Sequence, residues 1–381
     1  MILTATHDEF RRTVQRFVAE HINPHIDEWE QQGIFPAKTL FRQAGELGLL
    51  GIDKPEAYGG LGLDYSYQAV FAEEIGSALH GSTPMALGVQ TTMATPALAK
   101  HGSDELRRQF LAPAISGELV TSIAVSEAGA GSDVAALKTS ARKQGGDYVI
   151  NGSKMWITNS TQADYLCLLA NTGDGPAHKN KSLIIVPTSC AGIRFSDRID
   201  KLGMRASDTA EIYFDNVRVP QSHLIGVENL GFIHQMEQFQ EERMWVGLSS
   251  LKMMEACINH TIDYTRERKI FGRSVLDNQV IHYRLAELQT EVEALRALCY
   301  RGVEQMVAGQ DISLIASMVK LKTGRLTGEV TSGCLQYWGG MGFTWDNVVS
   351  RAFRDSRLSA IGGGSDETML AIISKMMGTH P

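Results

Sequence analysis

The sequence predicts an α+β chain in three parts: an N-terminal α-helical domain over 1–120, a small middle β-domain (barrel or sandwich) over 121–229, and a C-terminal four-helix bundle over 230–381. Three observations predict it. Up to about residue 120, apolar residues recur at helical spacing. From Thr121, short β-branched and aromatic runs alternate with turn residues. From Leu230, four long helical stretches follow one another with short connections, the pattern of an antiparallel bundle.

Taken in order, Thr6 followed by Glu9 reads as a capping box, with Phe10, Val14, Phe17 and His21 at helical spacing and Pro24 as the stop. A second helix is expected over 36–48 and a turn at Tyr58-Gly59-Gly60-Leu61-Gly62, with further helices over 65–79, 91–101 and 104–116. Strands are expected at 148–150, 155–158, 165–169, 183–186, 212–214 and 217–219. Asn151-Gly152 predicts a type I′ hairpin turn between the first two, and Gly173-Asp174-Gly175-Pro176 a loop. Pro220 closes the last run, and the bundle helices are placed at 230–268, 278–308, 313–338 and 365–377.

The chain has 381 residues, enough for a large core in two or three layers or domains. Hydrophobic residues at 43% and charged residues at 21% are ordinary for a globular protein. A net charge of -7 and a pI near 5.9 argue against nucleic acid and against an anionic membrane surface as partners. The five cysteines are scattered, with no zinc-type spacing, so free thiols, a reducing compartment and no metal site are expected. The N-terminus shows no signal pattern, no run has the length of a membrane span, and Gly378-Thr379-His380-Pro381 carries no targeting tripeptide. A cytoplasmic location is the expectation.

The chemistry concentrates in 121–159. Ser122-Ile123-Ala124-Val125 reads as a strand that runs into Ser126-Glu127-Ala128-Gly129-Ala130-Gly131-Ser132-Asp133. Glycines let backbone approach a ligand, and small residues leave N–H groups free for an anion. Trp156 and Thr158, two residues apart, share one strand face that suits a flat ring. Alone, such a loop is usually just a loop and such a Trp usually core. Together they resemble the acyl-CoA dehydrogenase family, whose signature joins Glu-x-Gly-x-Gly-Ser-Asp to Lys-x-Trp-Ile-Thr-Asn. The resemblance spans essentially the whole chain.

The resemblance implies FAD as cofactor and an acyl-CoA as substrate. Ser126 would meet the flavin ring, Ser132 the region between substrate and cofactor phosphates, and Trp156 and Thr158 the ring and its N5 edge. Arg266-Glu267-Arg268-Lys269-Ile270-Phe271-Gly272 looks like the family's Arg-x-x-Phe-Gly element. It reaches a neighbouring subunit's FAD in the family, with Arg268 at the pyrophosphate and Phe271 at the adenine, while Gln279 follows at the family's spacing. A solvated charge cluster at a helix end is the bland alternative. Gln336 and Gly340 fall in a Gln-x-x-Gly-Gly-x-Gly element, and Ser365 and Glu367 of the tail loop are assigned to the cofactor as well. The resemblance further implies a homotetramer built as a dimer of dimers, with electrons leaving to an electron-transfer flavoprotein.

The base is where the chain departs from the commonest family pattern. Oxidising a thioester between Cα and Cβ needs a carboxylate to remove the α-proton and FAD to take the β-hydride, and much of the family places that carboxylate in a Tyr-Glu-Gly-Thr loop. Here that loop is Ile361-Gly362-Gly363-Gly364-Ser365, with Gly363 at the Glu position. The isovaleryl- and long-chain-type subgroup carries the Glu on the first bundle helix, before an Arg. Glu241-Glu242-Arg243 stands there, and Glu242 is the match. By helical count Phe232, Met236, Phe239, Val246 and Met254 form one stripe, with Arg243 inside it and Glu242 at its margin. An Arg there needs an anionic partner, which in the family is the CoA moiety. Gly363 keeps a backbone N–H for the thioester carbonyl. A flavin oxidase or monooxygenase on the same fold, or a catalytically idle binding relative, are the alternatives. The acyl pocket is expected along 85–99 and the first bundle helix, with Gly88, Ala94 and Ala97 leaving space for a medium-to-long or branched chain.

Overall fold

The computed structural model describes residues 3–380; Pro381, which falls in the C-terminal stretch read for targeting, lies outside the described residues. The helical N-terminal region runs from Ala5–His21 to Ala112–Ile115. Its first helix is capped two residues earlier than predicted. Thr4 and His7 form the reciprocal capping box, because the His7 ring reaches the Thr4 backbone N–H that a Glu would otherwise take. As expected, Pro24 closes the first helix, which ends at His21. It sits in the single turn Asn23–His25, where its missing N–H costs nothing, and a helix resumes over Ile26–Gln32. The helix Tyr65–Ile75 is buried along almost its whole length, so its helical period is hard to see from sequence.

Eight strands build the middle region: β1 Thr121–Ala124, β2 Ser140–Gln144, β3 Asp147–Thr158, β4 Tyr165–Asn171, β5 Lys181–Pro187, β6 Ile193–Phe195, β7 Thr209–Pro220 and β8 Leu224–Ile225. Their order is β6-β7-β3-β2-β4-β5-β8, with β1 joining β4 in parallel. The sheet forks at β4: β1 pairs with residues 165–168, while β2 joins only at Asn171. The strand path is open, ending at β6 and β8, which do not pair with each other. Period-2 alternation fails in β4 because both faces are covered. Tyr165, Cys167 and Leu169 pack toward the N-terminal helices, and Leu166, Leu168 and Ala170 face the sheet interior.

The hairpin predicted at Asn151-Gly152 is not there. β3 runs straight through it, paired along its length with the equally long β7. The Asn-Gly pair forms a bulge, with Gly152 at φ 142 and Asn216 opposite at φ 51. The tight turn lies earlier, at Gly145-Gly146, where Gln144 pairs with Asp147. β2 was missed because Ser-Ala-Arg-Lys-Gln has little β-propensity, although Gly-Gly marks its end. The runs at 212–214 and 217–219 are likewise one strand, β7.

The C-terminal helices Gly231–Glu267, Gln279–Val307, Ser313–Tyr337 and Asp366–Met376 match the expected stretches within two residues at each end. A fifth, Val348–Ser356, was not predicted. It is polar, and its Arg351, Arg354 and Asp355 are buried. Burial on the first bundle helix is not a stripe. From Arg243 to Leu248 every residue is buried, because helices Tyr65–Ile75, Gln279–Val307 and Ser313–Tyr337 surround it, while Phe232, Met236 and Phe239 are only half-buried.

Candidate active site

The site residues fall into three groups on three sets of elements. The first is the glycine-rich loop after β1. Its shape rests on Glu127, whose carboxylate accepts from the Lys138 and Thr139 backbone N–H groups at 2.7 and 2.9 Å and from Lys154 Nζ at 3.0 Å. Lys154 also donates to the Val125 carbonyl at 2.8 Å. Burial pushes the Glu127 carboxyl up, but Lys154 and the two backbone donors outweigh it, and it stays below its ordinary value. Burial pushes Lys154 down to about 8. Both residues stand inside the motif in the sequence, but nothing local there shows that they hold it. The signal was a Glu within the glycine-rich loop and a Lys at an inward-facing position of β3.

Ser126 and Trp156 are neighbours because the Met155 N–H bonds the Ser126 carbonyl at 2.9 Å. Trp156 takes φ 65 at a second irregularity of β3 and is 58% exposed, between the buried Lys154 and Ile157. A non-glycine residue in this region is strained, and strain of this kind clusters at functional sites. Thr158 is half-buried beside it, and Ser132 is exposed on the loop. The loop's open side is bare: a Cβ on Gly129 or Gly131 would meet nothing within 4 Å.

The second group is at one end of the bundle. Lys269–Ile270 and Arg273–Ser274 form a short hairpin with Phe271 at φ 49 and Gly272 at φ 81, so both turn residues are left-handed, as a type I′ turn requires. Phe271 is fully exposed at its tip, and Arg268 and Gln279 flank the hairpin. Tyr264 stacks on Trp338 with centroids 4.3 Å apart, which brings Gln336 and Gly340 to the same end. Phe343 and Met341 there are also exposed.

The third group is built on the first bundle helix and the tail loop. Glu242 is half-buried as a residue, and desolvation of its carboxyl raises it to about 7 against the opposing pull of Arg243 and Lys320. Gly363 has φ +67, and a Cβ placed on it would stand 3.1 Å from Glu242 Oε1. Among the described residues no acceptor lies within hydrogen-bond reach of the Gly363 N–H. Arg243 is buried. Its Nη1 reaches only Ser317 Oγ at 3.5 Å, its Nε has no partner, and no ion pair engages it among the described residues. Sequence reasoning missed Lys320, which is wholly buried with an unpartnered Nζ; burial pushes it down to about 8.

Ser365 caps the last helix by accepting from the Thr368 N–H at 3.3 Å. Glu367 is exposed, and the helix N-terminus with Ser365 holds its carboxyl below the ordinary value. Glu241 is turned away from Glu242, toward the Asp53–Lys54 ion pair, and burial pushes it up to about 7.

The pocket reading needs one correction. Gly88 leaves no space for a ligand, because a Cβ there would lie 2.3 Å from Trp245 Nε1; the indole fills the room. The segment Val89–Ala94 is π-helical, an irregularity common at functional sites. A mostly apolar cleft runs from Met85 and Trp245 past Val246 and Ser249 to Met253, starting one helical turn from Glu242. Among the described residues one cluster, His101, His234 and Glu237, has metal-ligand proximity. Its two rings are stacked 3.8 Å apart and Lys100 donates to Glu237 at 3.2 Å, so a cation already serves the carboxylate. No helix among the described residues is long and apolar enough to cross a membrane.

These surfaces fit a flavin dinucleotide. An exposed indole on a rigid bulge beside an open glycine loop offers a ring platform, and an exposed Arg–Phe hairpin offers a phosphate and adenine grip. Arg268→Ala should weaken FAD retention about 10–100-fold, since a charge-assisted phosphate contact contributes about 1.5–3 kcal/mol. Titration of the flavin-free protein with FAD measures this, and unchanged affinity would detach the hairpin from the cofactor.

Three family profiles match the chain: "Acyl-CoA dehydrogenase, N-terminal domain" over 4–118, "middle domain" over 122–217 and "C-terminal domain" over 229–378. The chain is 34% identical over 377 residues to a protein of Sus scrofa named long-chain specific acyl-CoA dehydrogenase, mitochondrial, covering 98% of this chain and 87% of that one. It is 33% identical to one of Oryza sativa subsp. japonica named isovaleryl-CoA dehydrogenase, mitochondrial, covering 98% and 92%. A crystal structure of an acyl-CoA dehydrogenase from Geobacillus kaustophilus superposes with TM-score 0.95 at 34% identity, covering 98% of both chains.

Proposed function

We propose that this chain, which belongs to the acyl-CoA dehydrogenase family of FAD-dependent oxidoreductases, converts a saturated acyl-CoA to the trans-2-enoyl-CoA with Glu242 as base. The observation that carries it is the meeting of Glu242 with Gly363. A family Glu on the tail loop would project from position 363, and the Glu242 carboxylate stands 3.1 Å from where that side chain would begin. The helix therefore delivers a carboxylate to the place the loop has vacated. A Glu at both positions would clash and repel, which explains why position 363 is glycine.

Each group then has a task. Glu242 takes the α-proton, and a base with a pKa near neutrality combines availability with proton affinity. The free Gly363 N–H donates to the thioester carbonyl, where charge builds as the proton leaves. Arg243 holds an anionic part of the CoA, which supplies the counter-charge its buried guanidinium lacks. When bound, FAD accepts the β-hydrogen as a hydride. Ser126, Thr158 and Trp156 position the ring, Ser132 lies between substrate and cofactor phosphates, and Arg268, Phe271, Gln279, Gln336 and Gly340 take the dinucleotide end, with Ser365 and Glu367 beside it.

An anaerobic panel of acyl-CoA thioesters with an artificial electron acceptor tests the reading. Turnover of medium-to-long or branched chains is expected, and no turnover of any thioester by yellow protein would end it. Electrons are proposed to leave to an electron-transfer flavoprotein, so reduced protein should reoxidise slowly in air; rapid reoxidation would favour an oxidase. The exposed Phe271, Val280, Tyr283, Phe343 and Met377 suit burial against further copies in a homotetramer built as a dimer of dimers. Sedimentation as a monomer that still holds FAD tightly would refute that assembly.

A further inference from the structure

We propose that Lys320 is a positioning residue that keeps the Glu242 carboxylate ionised and aimed at the Gly363 backbone. The inference rests on Glu242 being the base. Lys320 sits on the helix Ser313–Tyr337, which packs directly against the first bundle helix that carries Glu242. Its side chain has no exposure, and its Nζ has no hydrogen-bond partner. Its Cε lies 3.8 Å from the point where a Cβ on Gly363 would stand, and Glu242 Oε1 lies 3.1 Å from that same point. Glycine at 363 thus leaves a gap that both side chains border.

A buried ammonium is costly unless anions compensate it. The charged groups facing Lys320 are Glu242 and Arg243 from the first bundle helix, and Asp366 and Glu367 from the last helix. Asp366 Oδ1 is also buried without a hydrogen-bond partner, and it lies beside Gly324, one turn along from Lys320. Glu242 itself is faced by Arg243 and by Lys320. In the proposed mechanism Arg243 is matched by an anion of the CoA, and that anion offsets its field at the base. Lys320 is then the cation still acting on Glu242. Without it a desolvated carboxyl holds its proton and cannot take another.

The test is Lys320→Met and Lys320→Gln, with Lys320→Arg as the charge-retaining control, each in the flavin-loaded protein. Titration of Glu242 is followed without substrate by the carboxylic-acid C=O stretch in pH-difference infrared spectra. The band is assigned by its loss in Glu242→Gln. The pH midpoint should rise by about one unit in both neutral variants and return to the wild-type value in Lys320→Arg. The midpoint for anaerobic flavin bleaching should move with it. Lys320→Gln, polar and shorter, carries the test if Lys320→Met does not fold. A wild-type midpoint in a folded neutral variant overturns the proposal, and weakened flavin retention at that unchanged midpoint would mark Lys320 as only a fastener of the tail loop. If Glu242→Gln still bleaches its flavin, the base reading falls instead; if it is dead while neutral Lys320 variants keep the wild-type midpoint, only the Lys320 inference falls.

Discussion

Glu242→Gln should leave a yellow, folded protein that binds acyl-CoA but no longer bleaches its flavin when acyl-CoA is added without oxygen. The amide is nearly isosteric with the acid and cannot accept the α-proton. Loss of a general base costs ~10²–10⁴-fold in rate, and the upper end is expected because the Glu242 carboxyl is desolvated and, among the described residues, the charges that act on it are those of Arg243 and Lys320. The same burial fixes the pH dependence. The carboxyl titrates near 7, above its ordinary range, so the proton-accepting form grows as pH rises through that value. Reductive bleaching in the wild type should therefore rise between about pH 6 and 8 and level off above, a limb that Glu242→Gln removes. Glu367→Gln is the control. Glu367 is exposed at a helix N-terminus and held below its ordinary value, which suits a permanent anion and not a base. A dead variant at 367 beside a bleaching variant at 242 would return the base to the tail loop, and full activity in both would remove this chemistry from the chain.

How much of this was legible in the sequence depends on what kind of signal each feature leaves. The long bundle helices were legible almost to their ends, because each is a long run of helix-compatible residues without a proline. The helix Val348–Ser356 was not, because its buried groups are charged: Asp355 accepts from the Gly81 and Met204 backbone N–H groups, and Arg354 lies over Trp345, 3.8 Å from the ring centroid. Gly81 and Met204 are distant in sequence, and Trp345 lies outside the helix, so none of them leaves a helical pattern. Asn151-Gly152 was misread for a related reason. The dipeptide suits a turn, but β7 offers a partner along the whole of β3, and continuous pairing with one bulge wins over two short strands.

The site was legible where residues follow a motif and illegible where they only support it. Glu242 and Gly363 stood out because one position has lost a carboxylate and another, 121 residues earlier in the chain, has one. That they meet is a fact of packing. Lys320 left no trace, since a Lys within a long helix is normally a solvated one. Gly88 was misjudged because a glycine shows only that a side chain is missing there; Trp245, 157 positions away, fills the gap.

Lys154→Met should produce the largest loss of stability. Lys154 is fully buried and bridges the Val125 carbonyl and the Glu127 carboxylate, which joins β1, the glycine loop and β3. Met fills a similar volume but leaves Glu127 charged and buried with only its two backbone donors. Removing one member of a buried pair costs about 3–5 kcal/mol; the lower end is expected, because the Lys138 and Thr139 N–H groups remain. Denaturant unfolding monitored on the middle region should show this. Flavin retention should fall with it, since the loop that carries Ser126 is set by the same contact. Adding Glu127→Gln to Lys154→Met should recover part of the loss, because an amide carbonyl can still accept from one backbone donor while no charge stays buried. If the single variant loses less than about 1 kcal/mol, or the double variant loses the sum of the two single losses, then the Glu127–Lys154 pair does not hold the loop. The glycine-rich segment would then owe its shape to the Glu127–Ala130 backbone bonds alone.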